Sequence, residues 1–259
     1  MSTYPAKYRY HGKVVEDYNI SRQSSDKWQR EVEIIKNLLD GFQINSSILD
    51  VPVGTGRFLE YYRNRGSFII GIDMSVDMLM KTRKSFKGDN NSIIYLIRGE
   101  SENLPIPDSS VDYVICMRLL NWVPMDILKL IVKEFARVVR RRVVIEIRVS
   151  RQKSVKDFWV RWIIDIVKMR PWATSLFHKI KHYKIASNHN INLNNAGSSI
   201  HSVVDTGYNL HRETDVSALF NEIGLVQINQ YLVDMKVSFS KRELRPFYVY
   251  VLEPMTNIN

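Results

Sequence analysis

Two glycines in one short turn are the residues best suited to hold a ligand. Gly54 and Gly56 flank Thr55, directly after the apolar segment 47–53 and just before a helical pattern begins at Phe58. Glycine lets a backbone approach a ligand closely and adopt positive φ, and the first turn of a helix offers free N–H groups to a carboxylate or phosphate. Because a G-x-G pair is also typical of an ordinary tight turn, the motif alone leaves both interpretations open.

An acidic residue favours the ligand interpretation. Asp73 closes the second apolar segment, 67–73, and an acid in that position can accept both hydroxyls of a ribose. Two cofactor classes fit: a nicotinamide or flavin dinucleotide, and an adenosyl compound with a single ribose. The dinucleotide motif has a third glycine three residues after the second, where this chain has Leu59. That difference argues against a dehydrogenase.

The elements that must position these residues alternate between strand and helix patterns. Helical spacing of apolar residues predicts helices over 26–40 and 125–139, and Ser75 is placed to cap a helix after the second strand. Strands that alternate with helices predict an α/β fold whose parallel sheet is covered on both faces. Five short apolar segments predict the strands, at 47–53, 67–73, 93–97, 111–117 and 143–149.

The alternation stops after Ser150 and returns near residue 210. The intervening residues include a basic, heavily apolar stretch and a polar, Asn-rich one. A helix over 214–223, capped by Thr214 or Asp215, and strands at 225–233 and 246–252 are predicted to complete the chain. We therefore predict an N-terminal segment, a core in two parts and a helical or loop insertion, at 1–25, 26–150 with 210–259, and 151–209.

Four blocks, taken in order, resemble the class I S-adenosylmethionine-dependent methyltransferases, in particular the group that includes quinone and other small-molecule methylases. No block is specific alone, and together they fall within residues 48–149, a span of about 100 of the 259 residues. They are ILDVPVGTGRF (48–58), IIGIDMS (69–75), RGESENLPIPDSSVDYVICMRLLNWV (98–123) and RRVVIEIRV (141–149).

The resemblance implies a Rossmann-like, mostly parallel seven-stranded sheet, with helices on both faces, the insertion between its fifth and sixth strands, and S-adenosylmethionine across the strand ends. It places Asp50 and the turn of Gly54, Thr55 and Gly56 at the methionine moiety, and it places Asp73 at the ribose. Glu100 and Ser101 would bind adenine. Met117 and Arg118 would close over the methionine end, and Met74 completes the cofactor-binding set.

Three positions depart from the family pattern. Pro52 occupies the first place of the usual glycine turn and has no N–H to donate. Glu100 replaces the commoner aspartate. Arg140, Arg141 and Arg142 replace the Pro-Gly-Gly turn that usually precedes the fifth strand. None of these changes removes a group that cofactor binding needs.

Methyl transfer from a sulfonium is an in-line displacement that depends mainly on proximity and alignment. A base is needed only if the accepting atom arrives protonated. We predict His201 and His211 as candidate general bases, because they flank the return into the core. Metal-ligand spacing of His and acidic residues is absent, and we expect no metal. Residues 1–25 would cover the cofactor site, and 151–209 would form a substrate lid.

The charge of the chain is regional. There are 37 Lys and Arg against 27 Asp and Glu, a net charge of +10. Residues 137–186 hold 14 of the bases and three of the acids, so the rest of the chain is close to neutral. This block predicts an anionic or apolar small-molecule acceptor, with contact to an anionic membrane surface as a further option. An RNA methyltransferase is the alternative, although no separate RNA-binding module is seen.

The remaining features predict a reduced, cytoplasmic location. Cys116 is the single cysteine, so an internal disulfide is excluded, and its apolar neighbours predict a buried strand position. Residues 1–13 lack the apolar run of a secretory signal, and no segment approaches 18 uncharged apolar residues.

Overall fold

The structure is a computed structural model of the 259-residue chain. It describes residues 10, 12–16, 18, 23–86, 94–152, 209–238 and 243–255. The chain divides into two compact units, Met1–Arg151 with Gly207–Asn259, and Gln152–Thr206. Almost all of the second unit, and with it the predicted insertion and His201, lies outside the described residues.

One sheet organises the first unit, with strand order β3-β2-β1-β4-β5-β8-β7 and the short β6 paired to β5. Strands β1 to β6 pair in parallel, and β7 and β8 form an antiparallel pair. The predicted mostly parallel Rossmann-like sheet is therefore confirmed, with β6 as one strand more than the seven predicted. The strands are β1 Ser47–Asp50, β2 Phe68–Asp73, β3 Ile94–Arg98, β4 Val111–Cys116, β5 Val139–Gln152, β6 His211–Arg212, β7 Leu225–Ser238 and β8 Glu243–Pro254.

Local signals set the helix ends. The side chains of Ser25 and Ser75 cap their helices by accepting the backbone N–H of the residue three positions later, Trp28 and Met78. Gly224, at φ 79°, ends the last helix. That last helix begins at Glu213 without a side-chain cap, so the prediction of a Thr214 or Asp215 cap is wrong. The helices are α1 Lys13–Glu16, α2 Asp26–Asp40, α3 Leu59–Arg63, α4 Val76–Ser85, α5 Met125–Val138 and α6 Glu213–Ile223, with a 3-10 turn at Leu120–Trp122.

Strand β5 is longer than the sequence suggested, because charged side chains at its start find partners. Arg140 and Arg141 both reach Asp112, at 3.0 and 3.5 Å, and Arg142 reaches Glu253 at 2.7 Å. The three arginines therefore belong to the strand and do not form the turn before it. They lie at the amino-terminal end of β5, opposite the carboxyl ends where ligands of such sheets bind.

Two apolar clusters cover the two faces of the sheet. One contains Val143, Ile145 and Ile147 of β5 and the buried side chains of α5 and α6. The other contains Val144 of β5 and the buried face of α2. Because side chains alternate along a strand, Glu146 and Arg148 share the α2 face with Val144. Within the described part of the chain, no helix is long and apolar enough to cross a membrane.

Candidate functional site

A pocket opens where β1, β2 and β4 end. Its walls come from the turn after β1, the ends of β2 and β3, the segment after β4 and two tyrosines of the N-terminal segment. The lining residues are Tyr10, Tyr18, Asp50, Pro52, Val53, Gly54, Thr55, Arg57, Phe58, Asp73, Met74, Met78, Gly99, Ser101, Met117, Arg118, Leu119 and Trp122.

The fold brings eight of the ten predicted cofactor-binding residues into this lining. Of the other two, Gly56 lies behind the turn, and Glu100 stands between Gly99 and Ser101 without lining the pocket itself. The eight are Asp50, Gly54, Thr55, Asp73, Met74, Ser101, Met117 and Arg118.

The glycine turn uses both of its glycines. Gly54 and Gly56 have φ of 57° and 75°, in the region that side chains disfavour. A Cβ at Gly54 would meet nothing within 4 Å, whereas a Cβ at Gly56 would lie 2.8 Å from Cγ2 of Thr82. The Thr82 hydroxyl in turn donates to the Gly54 carbonyl at 2.7 Å. Gly54 therefore faces the pocket, and Gly56 lets the turn pack on α4.

Asp73 ties the end of β2 to this turn. Its Oδ2 accepts the Gly54 N–H at 2.9 Å, and its Oδ1 accepts the Ser75 N–H at 2.8 Å. Burial raises the pKa of Asp73, although the N–H groups of Ser75, Gly54 and Met74 oppose that effect. Since a carboxylate offers about four acceptor positions, capacity is left for a ligand hydroxyl.

Asp50 is a second buried carboxyl group in the pocket. Burial raises its pKa to about 8, against the influence of Arg57 and of the Tyr62 hydroxyl, which donates to its Oδ2 at 3.3 Å. The nearby Asp73 raises the pKa further. A cationic group entering the pocket would favour the ionised form of this carboxyl group.

Two arginines in the lining share one carboxylate beneath them. Glu31 of α2 is fully buried; it accepts from Arg57 Nη1 at 2.7 Å and from both Nε and Nη2 of Arg118, at 2.9 and 2.8 Å. Both guanidinium groups also lie over the Trp28 ring, at 4.1 and 5.0 Å from its centroid. Sequence reasoning missed Glu31 and Arg57. The available signal was an acid within the buried stripe of α2, at Trp28, Glu31, Ile35 and Leu39.

A second buried carboxylate extends this cluster. Glu146 of β5 lies 2.5 Å from Lys27 Nζ, and its Oε2 accepts the Arg118 N–H at 3.0 Å. Burial alone would raise the pKa of Glu146, but Lys27, Arg118 and Arg57 hold it below its ordinary value. Glu146 is therefore ionised, and it fixes the backbone of a pocket residue.

The N-terminal segment contacts the pocket and α4. Tyr10 and Tyr18 line the pocket and pack edge to face, with ring centroids 5.7 Å apart. The Ser75 hydroxyl donates to the Tyr10 carbonyl at 2.6 Å, and Lys81 donates to the Val15 carbonyl at 2.7 Å. Tyr18 therefore covers one side of the pocket, and Trp28 of α2 lies beneath the two arginines.

His211 lies away from the pocket lining. It is buried, and its Nε2 lies 3.2 Å from the carbonyl oxygen of Leu120, in the 3-10 turn that also contains the lining residue Trp122. Burial lowers the pKa of His211, against hydrogen bonds with the backbone of Leu120 and Val123. The other candidate base, His201, lies outside the described residues. Among the residues that the structure describes, no group of three or more His, Cys, Asp or Glu could hold a metal ion.

Comparison with known proteins agrees with this geometry. Residues 49–146 match a family described as a methyltransferase domain. Malonyl-[acyl-carrier protein] O-methyltransferase of Hamiltonella defensa is 30% identical over 55% of this chain and 52% of its own length. Demethylmenaquinone methyltransferase of Bacillus subtilis is 29% identical over 66% of this chain and 76% of its own. The chain spans about half the length, or less, of the malonyl-[acyl-carrier protein] relatives that it matches.

Solved structures show the same fold. Magnesium protoporphyrin IX methyltransferase of Synechocystis PCC 6803, solved with bound SAH, has a TM-score of 0.55 at 13% identity, covering 95% of this chain and 89% of its own. A Pyrococcus horikoshii protein has a TM-score of 0.59 at 17% identity, covering 95% of this chain and all of its own. Residues 49–146 are thus similar to a methyltransferase domain, and the chain has the fold of the S-adenosylmethionine-dependent methyltransferases.

Proposed function

We propose that this chain is an S-adenosylmethionine-dependent methyltransferase that acts on a small-molecule acceptor. The observation that carries the proposal is the pocket at the strand ends. There, the glycine turn, two buried carboxyl groups and two arginines surround one cavity within a methyltransferase domain.

The groups in the pocket fit the chemistry of S-adenosylmethionine. Asp73 has acceptor capacity for the ribose, and Asp50 lies where it can meet the ammonium group of the methionine moiety. Arg57 and Arg118, which also line the pocket, supply positive charge for the carboxylate of the methionine moiety. We assign Gly54, Thr55, Met74 and Met117 to the walls around these groups and Ser101 to the adenine, with Glu100 beside it.

For methyl transfer, the protein needs mainly to align the acceptor with the cofactor. S-adenosylmethionine, when bound, supplies an electrophilic methyl group on a sulfonium. The protein must orient the acceptor and exclude water, and the buried side chains of Met117, Leu119 and Trp122 line the pocket for that purpose. For an acceptor that arrives protonated, His201 and His211 remain our candidate bases. The lowered pKa of His211 favours its neutral ring, the form that a base requires, but its side chain lies outside the pocket lining.

The acceptor that we propose is anionic or apolar. The relatives named above act, by their names, on a malonyl-[acyl-carrier protein] and on demethylmenaquinone. The basic block 137–186 contributes less to this argument than its sequence suggested. Four of its arginines are paired with acids and lie far from the carboxyl ends of the strands, where the pocket is: Arg137, Arg140, Arg141 and Arg142. Contact of residues 151–209 with an anionic membrane surface, and a cytoplasmic location, remain parts of the proposal. The comparisons give no support to the RNA alternative.

Labelled methyl transfer tests this function. The purified chain is incubated with methyl-labelled S-adenosylmethionine and a cell extract that contains both small molecules and RNA, and the labelled products are identified by mass spectrometry. We expect one or more small molecules to gain the label with wild-type protein, and to gain it more slowly with Asp73→Asn when the cofactor is below saturation. If the label enters only RNA, or if nothing is labelled although S-adenosylmethionine binds, the proposed acceptor class is wrong.

A further inference from the structure

We propose that Glu31 is a positioning residue, which holds Arg57 and Arg118 as a paired receptor for the carboxylate of the cofactor's methionine moiety. This inference rests on the proposed function, since it assigns a role within the same pocket. It concerns a side chain that does not line the pocket and that acts only through the two arginines.

The carboxylate of Glu31 binds two guanidinium groups at once, those of Arg57 and Arg118. Its side chain is 0% exposed. Its Oε2 receives three guanidinium nitrogens at 2.7 to 2.9 Å, and its Oε1 also accepts from Arg118 Nε at 3.0 Å. Such short, charge-assisted contacts are stronger and more directional than neutral hydrogen bonds. Because Arg57 follows β1 and Arg118 follows β4, one residue of α2 fixes two separate loops.

Backbone strain at one of these loops fits this role. Arg118 has φ of 63°, in the left-handed region that a non-glycine residue adopts at a cost. Its N–H is held by Glu146 and its guanidinium group by Glu31. The surrounding structure therefore specifies both the direction of the Arg118 backbone and the place of its side chain.

The charge of the cluster indicates the kind of ligand. Lys27, Arg57 and Arg118 are three cations, and Glu31 and Glu146 are the two carboxylates bound to them. One positive charge is left over, and it lies on the arginines that line the pocket. A ligand carboxylate would neutralise it. Asp50, which Arg57 influences directly, offers the adjacent acceptor for an ammonium group, so the pair matches an amino acid moiety.

Two ligands separate positioning from general stability. S-adenosylhomocysteine carries the amino acid moiety, whereas 5′-methylthioadenosine has the same adenosine and sulfur without it. We expect Glu31→Gln to weaken S-adenosylhomocysteine binding about tenfold, since charge-assisted hydrogen bonds are involved, and to leave 5′-methylthioadenosine binding unchanged. Isothermal titration calorimetry measures both affinities. Glu33→Gln, an exposed acid on the same helix, is the matched control and should change neither.

The possible results lead to different conclusions. Equal weakening of both ligands, or no weakening of either, would overturn the positioning role. Tighter S-adenosylhomocysteine binding would also overturn the positioning role. If Glu31 affected only the electrostatic potential of the pocket, removal of its negative charge would strengthen binding of the ligand carboxylate. Wild-type protein that binds neither ligand would overturn the proposed function itself. If Glu31→Gln fails to fold, Glu31→Asp serves instead: it keeps the charge but is one methylene shorter, so it loses the short contacts with both guanidinium groups, and the same selective loss is expected.

Discussion

The backbone N–H of Gly54, in the turn after β1, donates to Oδ2 of Asp73, the last residue of β2, at 2.9 Å. This bond fixes the glycine turn after β1 against the end of β2, and it orients the carboxylate within the pocket. The same carboxylate is our proposed ribose acceptor, so it has both a structural and a binding role.

Replacement of Asp73 should weaken every adenosine ligand. Asp73→Asn removes the charge and one acceptor, and hydrogen bonds to charged groups are worth about 1.5–3 kcal/mol. We expect roughly ten- to hundredfold weaker binding of both S-adenosylhomocysteine and 5′-methylthioadenosine by calorimetry. Asp126→Asn, at an exposed position of α5, should leave both affinities unchanged. Selective loss of only one of the two ligands would contradict the ribose assignment.

Asp50 should make binding of the amino acid moiety depend on pH. Burial raises its pKa to about 8, so at pH 7 the free carboxyl group is mostly protonated and must lose its proton to accept an ammonium group. Affinity for S-adenosylhomocysteine should therefore rise as pH increases from 6 to 8, with proton release on binding. Calorimetry at pH 7 in two buffers of different ionisation enthalpy measures that release.

The control for Asp50 is the ligand that lacks the amino acid moiety. Binding of 5′-methylthioadenosine should show neither the pH trend nor the proton release, and Asp50→Asn should abolish both for S-adenosylhomocysteine. Proton uptake, or the same pH trend in Asp50→Asn, would show that another group is responsible.

The two glycines of the turn should respond differently to alanine. Gly54→Ala strains a positive φ, at a cost of about 1–2 kcal/mol, and puts a methyl group into open space on the pocket side. Gly56→Ala adds a 2.8 Å approach to the buried Thr82 side chain. We expect Gly56→Ala to lower the thermal midpoint more, and Gly54→Ala to lower ligand affinity more. Equal midpoints for the two variants would show that the contact with α4 relaxes freely.

His211 should contribute to stability in a pH-dependent way. Its pKa is lowered by burial, so the stability that it provides is fully present above about pH 6.5 and is lost as pH falls below that value. The thermal midpoint of wild-type protein should fall between pH 7 and pH 5 by more than that of His211→Gln. At pH 7 the variant should be less stable by about 1 kcal/mol, for the lost hydrogen bond to Leu120. Parallel pH profiles would contradict the burial effect.

The sequence predicts the strand framework because local patterns determine it. Apolar runs predict the strands and Ser75 predicts the start of α4, because both signals act within a few residues. The full length of β5 could not be predicted from such local patterns. It depends on Asp112 and Glu253, which lie far along the chain from the arginines that they pair with.

The pocket residues that follow strands were predictable for the same reason, and the charged cluster beneath them was not. Asp50 and Asp73 each end a strand, so their places follow from topology. Glu31 lies on a helix whose buried stripe is otherwise apolar. The role of an acid at this position becomes evident only in the folded chain, where Arg57 and Arg118, which are distant in sequence, form ion pairs with it.

The most direct test of the pocket assignment is calorimetric titration of S-adenosylhomocysteine into the folded 259-residue chain, with Asp73→Asn in parallel. We predict binding of one ligand per chain in the wild type and a loss of about tenfold or more in the variant. Absence of binding to folded wild-type protein, or equal affinity in Asp73→Asn, would contradict the assignment of the pocket to S-adenosylmethionine.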